Sequence, residues 1–257
     1  MKVLRSDNPS PMTLDGTRTF IIGEQYPVVI DPGPADPAHL REIARVLKDS
    51  EVVAILLTHA HADHAAGAEA LARVTGAPLC AAPGAHELPF PESLVGRWIE
   101  GRADFDTDAG RVRAIPTPGH SPDHLAFLWT GENAPPAGAL FVGDLLLGEG
   151  DTTIIAEPDG DVDAYLRSLD RVAALAPTAL YPAHGPPIED PVPAVGRYRA
   201  HRLGRVRQVE EALRSRPGAT ADELVAVVYG DALPAELHGA AVGSVRAILG
   251  YLGRPAP

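Results

Sequence analysis

Lysine, cysteine and methionine are nearly absent from this 257-residue chain: Lys2 and Lys48 are the only lysines, Cys80 the only cysteine, Met1 and Met12 the only methionines. A single thiol excludes an intrachain disulfide and is compatible with a reducing compartment. No apolar run approaches the ~18–20 residues that a membrane helix requires. The opening MKVLRSDNPSPM lacks the apolar stretch of a signal peptide, so a cytoplasmic protein with no membrane association is expected. Positive charge is also scarce, with 22 basic against 34 acidic residues and a net charge of −12. Such a surface repels polyphosphates at long range. The deficit is uneven: residues 194–257 hold nine arginines and six acids, a net +3, and the remainder therefore carries −15. What the chain does have is an ordinary apolar content of 45%, enough for a packed core.

Strand and helix signals alternate through most of the length. RTFIIGEQYPVVID (18–31) reads as two short strands around a turn at Gly23-Glu24. A helix fits 37–49, with Leu40, Ile43, Ala44 and Leu47 at helical spacing. EVVAILL (51–57) and APLCAA (77–82) read as buried strands, with a helix from about Asp63 to Val74 between them. Further strands are predicted at 111–120, 124–130, 138–147 and 178–185, and a helix capped by Asp161 at 161–175. From about 194 only helices are predicted, at 194–215, after a Thr220/Glu223 capping box, and at 234–252. This order favours a layered α/β domain over 1–193 and a small helical domain over 194–257.

Four predicted strands end in metal-competent side chains. THAHADH (58–64) packs three histidines and an aspartate into seven residues, and PGH (118–120), GD (143–144) and AHG (183–185) follow. Together they offer seven candidate ligands: His59, His61, Asp63, His64, His120, Asp144 and His184. Neutral imidazole and carboxylate suit zinc, with iron or manganese as alternatives where oxygen donors are many. Alternation points His59 and His61 the same way, while Asp63 and His64 can serve a second ion. Two adjacent ions activate water for hydrolysis. His124, four residues after His120, is assigned a supporting or structural role. His39, His86, His201 and His238 read as ordinary surface or core residues, and Cys80 as a buried inert thiol.

These four motifs together resemble the metallo-β-lactamase superfamily. The flanking stretches NPSPMTLDGTRTFIIG, GDLLLGEGDTTIIAEPDGDVDAYLRSL and YRAHRLGRVRQVEEALRSRPGATADELVAVVYG resemble its β-lactamase-like protein 2 subgroup. The resemblance implies a four-layer αββα sandwich followed by a small winged-helix-like domain. It implies one zinc on His59, His61 and His120, a second on Asp63, His64 and His184, and Asp144 bridging both with a hydroxide. Asp63 and Asp144 are then the catalytic carboxylates, Asp63 orienting the nucleophile. Two departures stand out: Arg18 occupies a position where the related pattern has Asn, and only RPAP follows the last helix, so a missing or vestigial β-wing is expected.

Fold does not fix the substrate. The second ligand set argues for two ions and hydrolysis. Two readings follow: a thioesterase or esterase of small acyl substrates, resembling glyoxalase II and acyl-carrier thioesterases, and a phosphodiesterase of single-stranded RNA. The acidic 1–193 region opposes RNA, and the row Arg197, Arg199, Arg202, Arg205 and Arg207 supports it. Loops around 83–98, 121–123 and 148–160 are expected to frame the substrate. A narrow apolar cleft over the metals would favour acyl chains, and a long basic groove RNA.

Overall fold

Two sheets lie face to face in the computed structural model, which describes residues 1–230 and 233–254. The first sheet has the order β1 (Lys2–Arg5), β2 (Arg18–Ile22), β3 (Val28–Ile30), β4 (Ala54–Leu56), β5 (Leu79–Ala81), β6 (Val95–Trp98). The second runs β11 (Ala179–Pro182), β10 (Ala139–Gly143), β9 (Leu125–Thr130), β8 (Gly110–Pro116), β7 (Ala103–Thr107). Phe20, Ile30 and Leu56 of the first sheet meet Val112, Phe127 and Phe141 of the second in a continuous apolar layer. Each such fully buried large side chain contributes roughly 1.5–3 kcal/mol.

Helices cover both outer faces, giving the expected αββα order. On the first sheet lie α1 (Pro37–Val46), the single turn α2 (Ala62–Ala65) and α3 (Ala68–Thr75), whose Ile43 and Leu71 pack on Val29 and Ile55. Asp36 caps α1 by accepting from the Ala38 and His39 amides, and Pro37 needs no amide partner at that position. On the second sheet lies α4 (Val162–Leu175), capped by Asp161. Helices α5 (Pro191–Ser215), α6 (Ala221–Tyr229) and α7 (His238–Tyr251) pack beside it in one core, with Leu169, Tyr198, Leu224 and Ile248 in the same cluster. The capping box at Thr220 and Glu223 is formed.

Several local expectations need correction. The helix expected over Asp63–Val74 is broken at Gly67, because its amide donates to Gly33 O at 2.9 Å. A Cβ at Gly67 would also meet Leu40 at 2.9 Å. The strand expected over 138–147 stops at Gly143, whose φ of +49° turns the chain. Strands β1, β6 and β7 were not predicted. β7 (ADFDT) buries Ala103 and Phe105 and turns Asp104 and Asp106 outward, where they pair with Arg113 and Arg111 of β8. Helix α5 begins at Pro191, ahead of the composition change at 194. Beyond it the described residues form only helices and turns, and of the RPAP tail the three residues after Arg254 lie outside them.

Candidate metal centre

The four motif segments leave the C-terminal ends of β4, β8, β10 and β11 and meet at one edge of the sandwich. All seven sequence-derived residues come together there. Three groups could each hold a cation: His59 with His61 and His120, His59 with His64 and Asp144, and Asp63 with His64 and His184. Within each group the candidate ligand atoms lie no more than 4.8 Å apart. Asp144 faces both sides, with Oδ1 at 3.4 Å from His64 Nε2 and 3.2 Å from His184 Nε2, and Oδ2 at 3.8 Å from His120 Nε2. Asp63 Oδ2 lies 3.2 Å from His184 Nε2 and 3.3 Å from His64 Nε2.

The histidine tautomers follow from their hydrogen bonds. Thr58 Oγ1 donates to Asp31 and so accepts from His59 Nδ1 at 3.0 Å. His64 Nδ1 donates to Asp31 Oδ2 at 2.9 Å, His120 Nδ1 to Ile154 O at 2.7 Å, and His184 Nδ1 to Gly16 O at 3.3 Å. In each case Nδ1 is engaged outward and Nε2 faces the centre, the orientation that metal-ligating histidines require. His61 presents Nδ1, 3.0 Å from His120 Nε2. The Nε2 atoms of His59, His64 and His184 and Oδ1 of Asp144 are buried without a hydrogen-bond partner. Orphaned buried polar atoms are costly in a folded protein. Four that converge on one point, from imidazole and carboxylate donors, fit divalent cations.

Electrostatics divides the centre. Burial pushes His59 well below the usual histidine range and His120 down to about 4. Burial acts the same way on His64 and His184, but the Asp63 and Asp144 carboxylates override it, raising His64 well above that range and His184 to about 9. Burial would raise Asp63 and Asp144, yet the facing imidazoles hold both far below ordinary carboxylates.

Two supporting residues were not singled out from sequence. Asp31, 1% exposed and with φ of +49°, accepts from Thr58 N at 2.7 Å, Thr58 Oγ1 at 2.6 Å and His64 Nδ1 at 2.9 Å. An acid directly after a buried strand and before Pro-Gly was its only signal. Gly143 is the other: it must be glycine here, since a Cβ would come within 2.8 Å of both His124 and Thr58. His124 plays the expected supporting part: its Nε2 accepts from Asp144 N at 3.2 Å, fixing its proton on Nδ1 toward Thr117. Arg18, unusual against the related pattern, pairs with Asp15 at 2.8 Å, and Asp15 in turn accepts from Gly185 N beside His184.

Above the centre lies a cavity of about 690 Å³, within the range of roughly 300–1,000 Å³ usual for small-molecule sites. His61, Asp63, His120 and Asp144 form its floor, and Met12, Leu14 and Leu147 its side. Its roof comes from the C-terminal helices and the turns joining them, through Arg202, Tyr229, Leu237 and Ala241, and its exposed wall is mostly apolar. Of the three loops expected to frame it, only 148–160 does so; 83–98 lines a separate hollow around Phe90 and Trp98, and 121–123 is absent from the wall. The reason is that α5–α7 lie over the α4 side of the site, a placement no local pattern encodes. His201, read from sequence as unremarkable, also lines the cavity.

Comparison with known proteins agrees with this architecture. Residues 13–184 match the family model of the metallo-beta-lactamase superfamily, and residues 220–253 that of the beta-lactamase associated winged helix domain. The chain is 32% identical to a beta-lactamase-like protein 2 homolog of Drosophila melanogaster, over 93% of this chain and 82% of that one. It is 34% identical to an atrochrysone carboxyl ACP thioesterase of Passalora fulva, over 94% of this chain and 72% of that one. A metallo-beta-lactamase family protein from Thermus thermophilus shares the fold with a TM-score of 0.75 at 20% identity, covering 98% of this chain and 93% of its own.

Proposed function

Given that the chain belongs to the metallo-beta-lactamase superfamily, we propose that it is a two-zinc hydrolase of acyl thioesters. The observation that carries this reading is the apolar cavity of about 690 Å³ directly above the metal centre. An acyl group gains from burial there, at about 25 cal/mol per Å² of apolar surface. The similarity to an acyl-carrier thioesterase over most of both chains supports it. Single-stranded RNA is disfavoured by the net −15 outside 194–257 and by the pairing of Arg197 and Arg199 with Asp151 and Asp170.

His59, His61 and His120 would hold one cation, Asp63, His64 and His184 the other, with Asp144 between them. The imidazole-rich donor set favours zinc. Bound cations in such a pair acidify water and polarise the substrate oxygen. The chain itself supplies orientation. Thr58, Asp31 and Ile154 hold the imidazoles so that their Nε2 atoms face inward. Asp63 lines the cavity floor with its side chain 30% exposed. Its Oδ2 is engaged with His64 and His184, which leaves Oδ1 to orient the attacking water and accept its proton. The mostly apolar wall keeps other water from the acyl carbon. The water oxygen bonds to the acyl carbon, the C–S bond breaks, and the proton taken up by Asp63 leaves with the thiol.

A side-by-side assay of acyl thioesters and a short single-stranded RNA, with elemental analysis of the same sample, tests the reading. Thioester turnover with about two zinc equivalents per chain is expected. RNA cleavage without thioester turnover would overturn it.

A further inference from the structure

The arginine row of α5 is not one stripe. Arg197 and Arg199 face solvent and pair with Asp151 at 2.8 Å and Asp170 at 3.0 Å. Arg202 and Arg205, one turn on, line the cavity together with His201. Arg202 is only 3% exposed. It donates to Thr153 O at 2.7 Å and stands over the Tyr165 ring at 5.6 Å, but its Nε–H is buried without a partner. His201 Nδ1 is also buried and unpartnered. Arg205 stands over the Tyr229 ring at 4.2 Å and donates to Val228 O and Gln208. Among the described residues neither arginine has a carboxylate within 4.0 Å, and Glu149, also on the cavity wall, pairs with neither.

A buried guanidinium without counter-charge is expensive, and burial weakens the hold of Arg202 on its proton. The arrangement becomes favourable when an anion enters. The planar fork of arginine matches a carboxylate, and such charge-assisted contacts are the strong ones. The rest of the wall is mostly apolar, so the cavity has a metal floor, a greasy middle and a cationic roof.

We propose that His201, Arg202 and Arg205 form an anion subsite that receives a distal carboxylate, or comparably acidic oxygen, on the acyl group of the substrate. This rests on the thioesterase reading for the identity of the substrate, and on the geometry alone for the subsite. The thiol arm of a carrier must lead out to solvent, so the nearly inaccessible Arg202 faces the acyl part. The enzyme thereby selects acyl thioesters with a second acidic group over plain fatty acyl chains.

Calorimetric titration of the zinc-loaded protein with hexanedioate, octanedioate and decanedioate, each against its monoacid, reads the subsite directly. At least one diacid is expected to bind about tenfold tighter than its monoacid, the scale of one charge-assisted bidentate contact. Arg202→Gln should bring that ratio to about one. Arg205→Gln, at a half-buried position, should reduce it and keeps the test open if the first variant does not fold. Arg202→Lys should recover only part, since it restores charge without the fork. Equal binding of every diacid and monoacid by the wild type overturns the subsite, as does a ratio unaffected by both glutamine variants. Competition by pantetheine 4′-phosphate that disappears in Arg202→Gln would assign the anion to the carrier arm and overturn the acyl assignment. Diacid preference without turnover of any thioester would overturn the thioesterase reading and leave the subsite standing.

Discussion

His59 and His64 are both fully buried, with ring centroids 4.1 Å apart, yet their affinities for a proton are displaced in opposite directions. His59 belongs to an imidazole-only half with His61 and His120; His64 shares the other half with His184 and Asp63. Burial disfavours the charged ring in both halves. Only the second half has carboxylates close enough to reverse it, with Asp63 and Asp144 at 3.2–3.4 Å from the Nε2 atoms of His64 and His184. The comparison separates depth from charge as causes. His59 and His120 are ready to donate lone pairs at neutral pH, whereas the carboxylate half attracts a cation strongly but exchanges a proton for it.

The largest expected effect comes from the one residue that belongs to both halves. Asp144→Ala should lower hydrolysis by more than the ~10–100-fold typical of losing an outer partner of a metal ligand. Bound metal should fall to about one equivalent or less while far-UV circular dichroism stays unchanged. Two retained equivalents with full activity would remove Asp144 from the centre. Asp31→Asn is the next step down. Asp31 holds His64 directly and His59 through Thr58, one histidine in each half. An amide there turns a donor toward Thr58 or His64. Metal affinity should fall about 10–100-fold for both equivalents together, measured by chelator competition. Weakening of one equivalent alone would show that Asp31 braces only its own side.

These two residues also mark what the sequence makes legible. Asp144 and the six other candidate ligands are readable because their four segments each follow a strand with side chains whose chemistry is rare in a core, and four such endings reinforce one another. Asp31 has the same buried surroundings, but a lone acid after VVI and before Pro-Gly has no partner within its own segment. Its partners, Thr58 and His64, arrive from the neighbouring parallel strand and the turn after it. The layered order was legible from alternating periodicities, while β7 was missed because its solvent face is aspartate neutralised only by arginines across the ladder. The cavity roof was least legible. Arg197, Arg199, Arg202 and Arg205 look alike in sequence, and only the packing of α5 against α4, α6 and α7 decides which of them faces solvent.

Acidification should separate the two halves by the smallest of these effects. His184 is raised to about 9, so below that pH the free ring carries a proton that an incoming cation must displace. Apparent affinity at the carboxylate half should therefore fall by about tenfold per pH unit for each proton displaced as pH drops from 8 toward 6. His120 is lowered to about 4, so its ring is already neutral across that range and offers no such competition. With a chelator of fixed strength, the equivalent on the carboxylate half should leave first as pH falls. Elemental analysis after gel filtration at each pH reads this directly. Parallel loss of both equivalents would mean that the carboxylates act on the whole cluster alike, and that the opposite displacements of His59 and His64 have no consequence for binding.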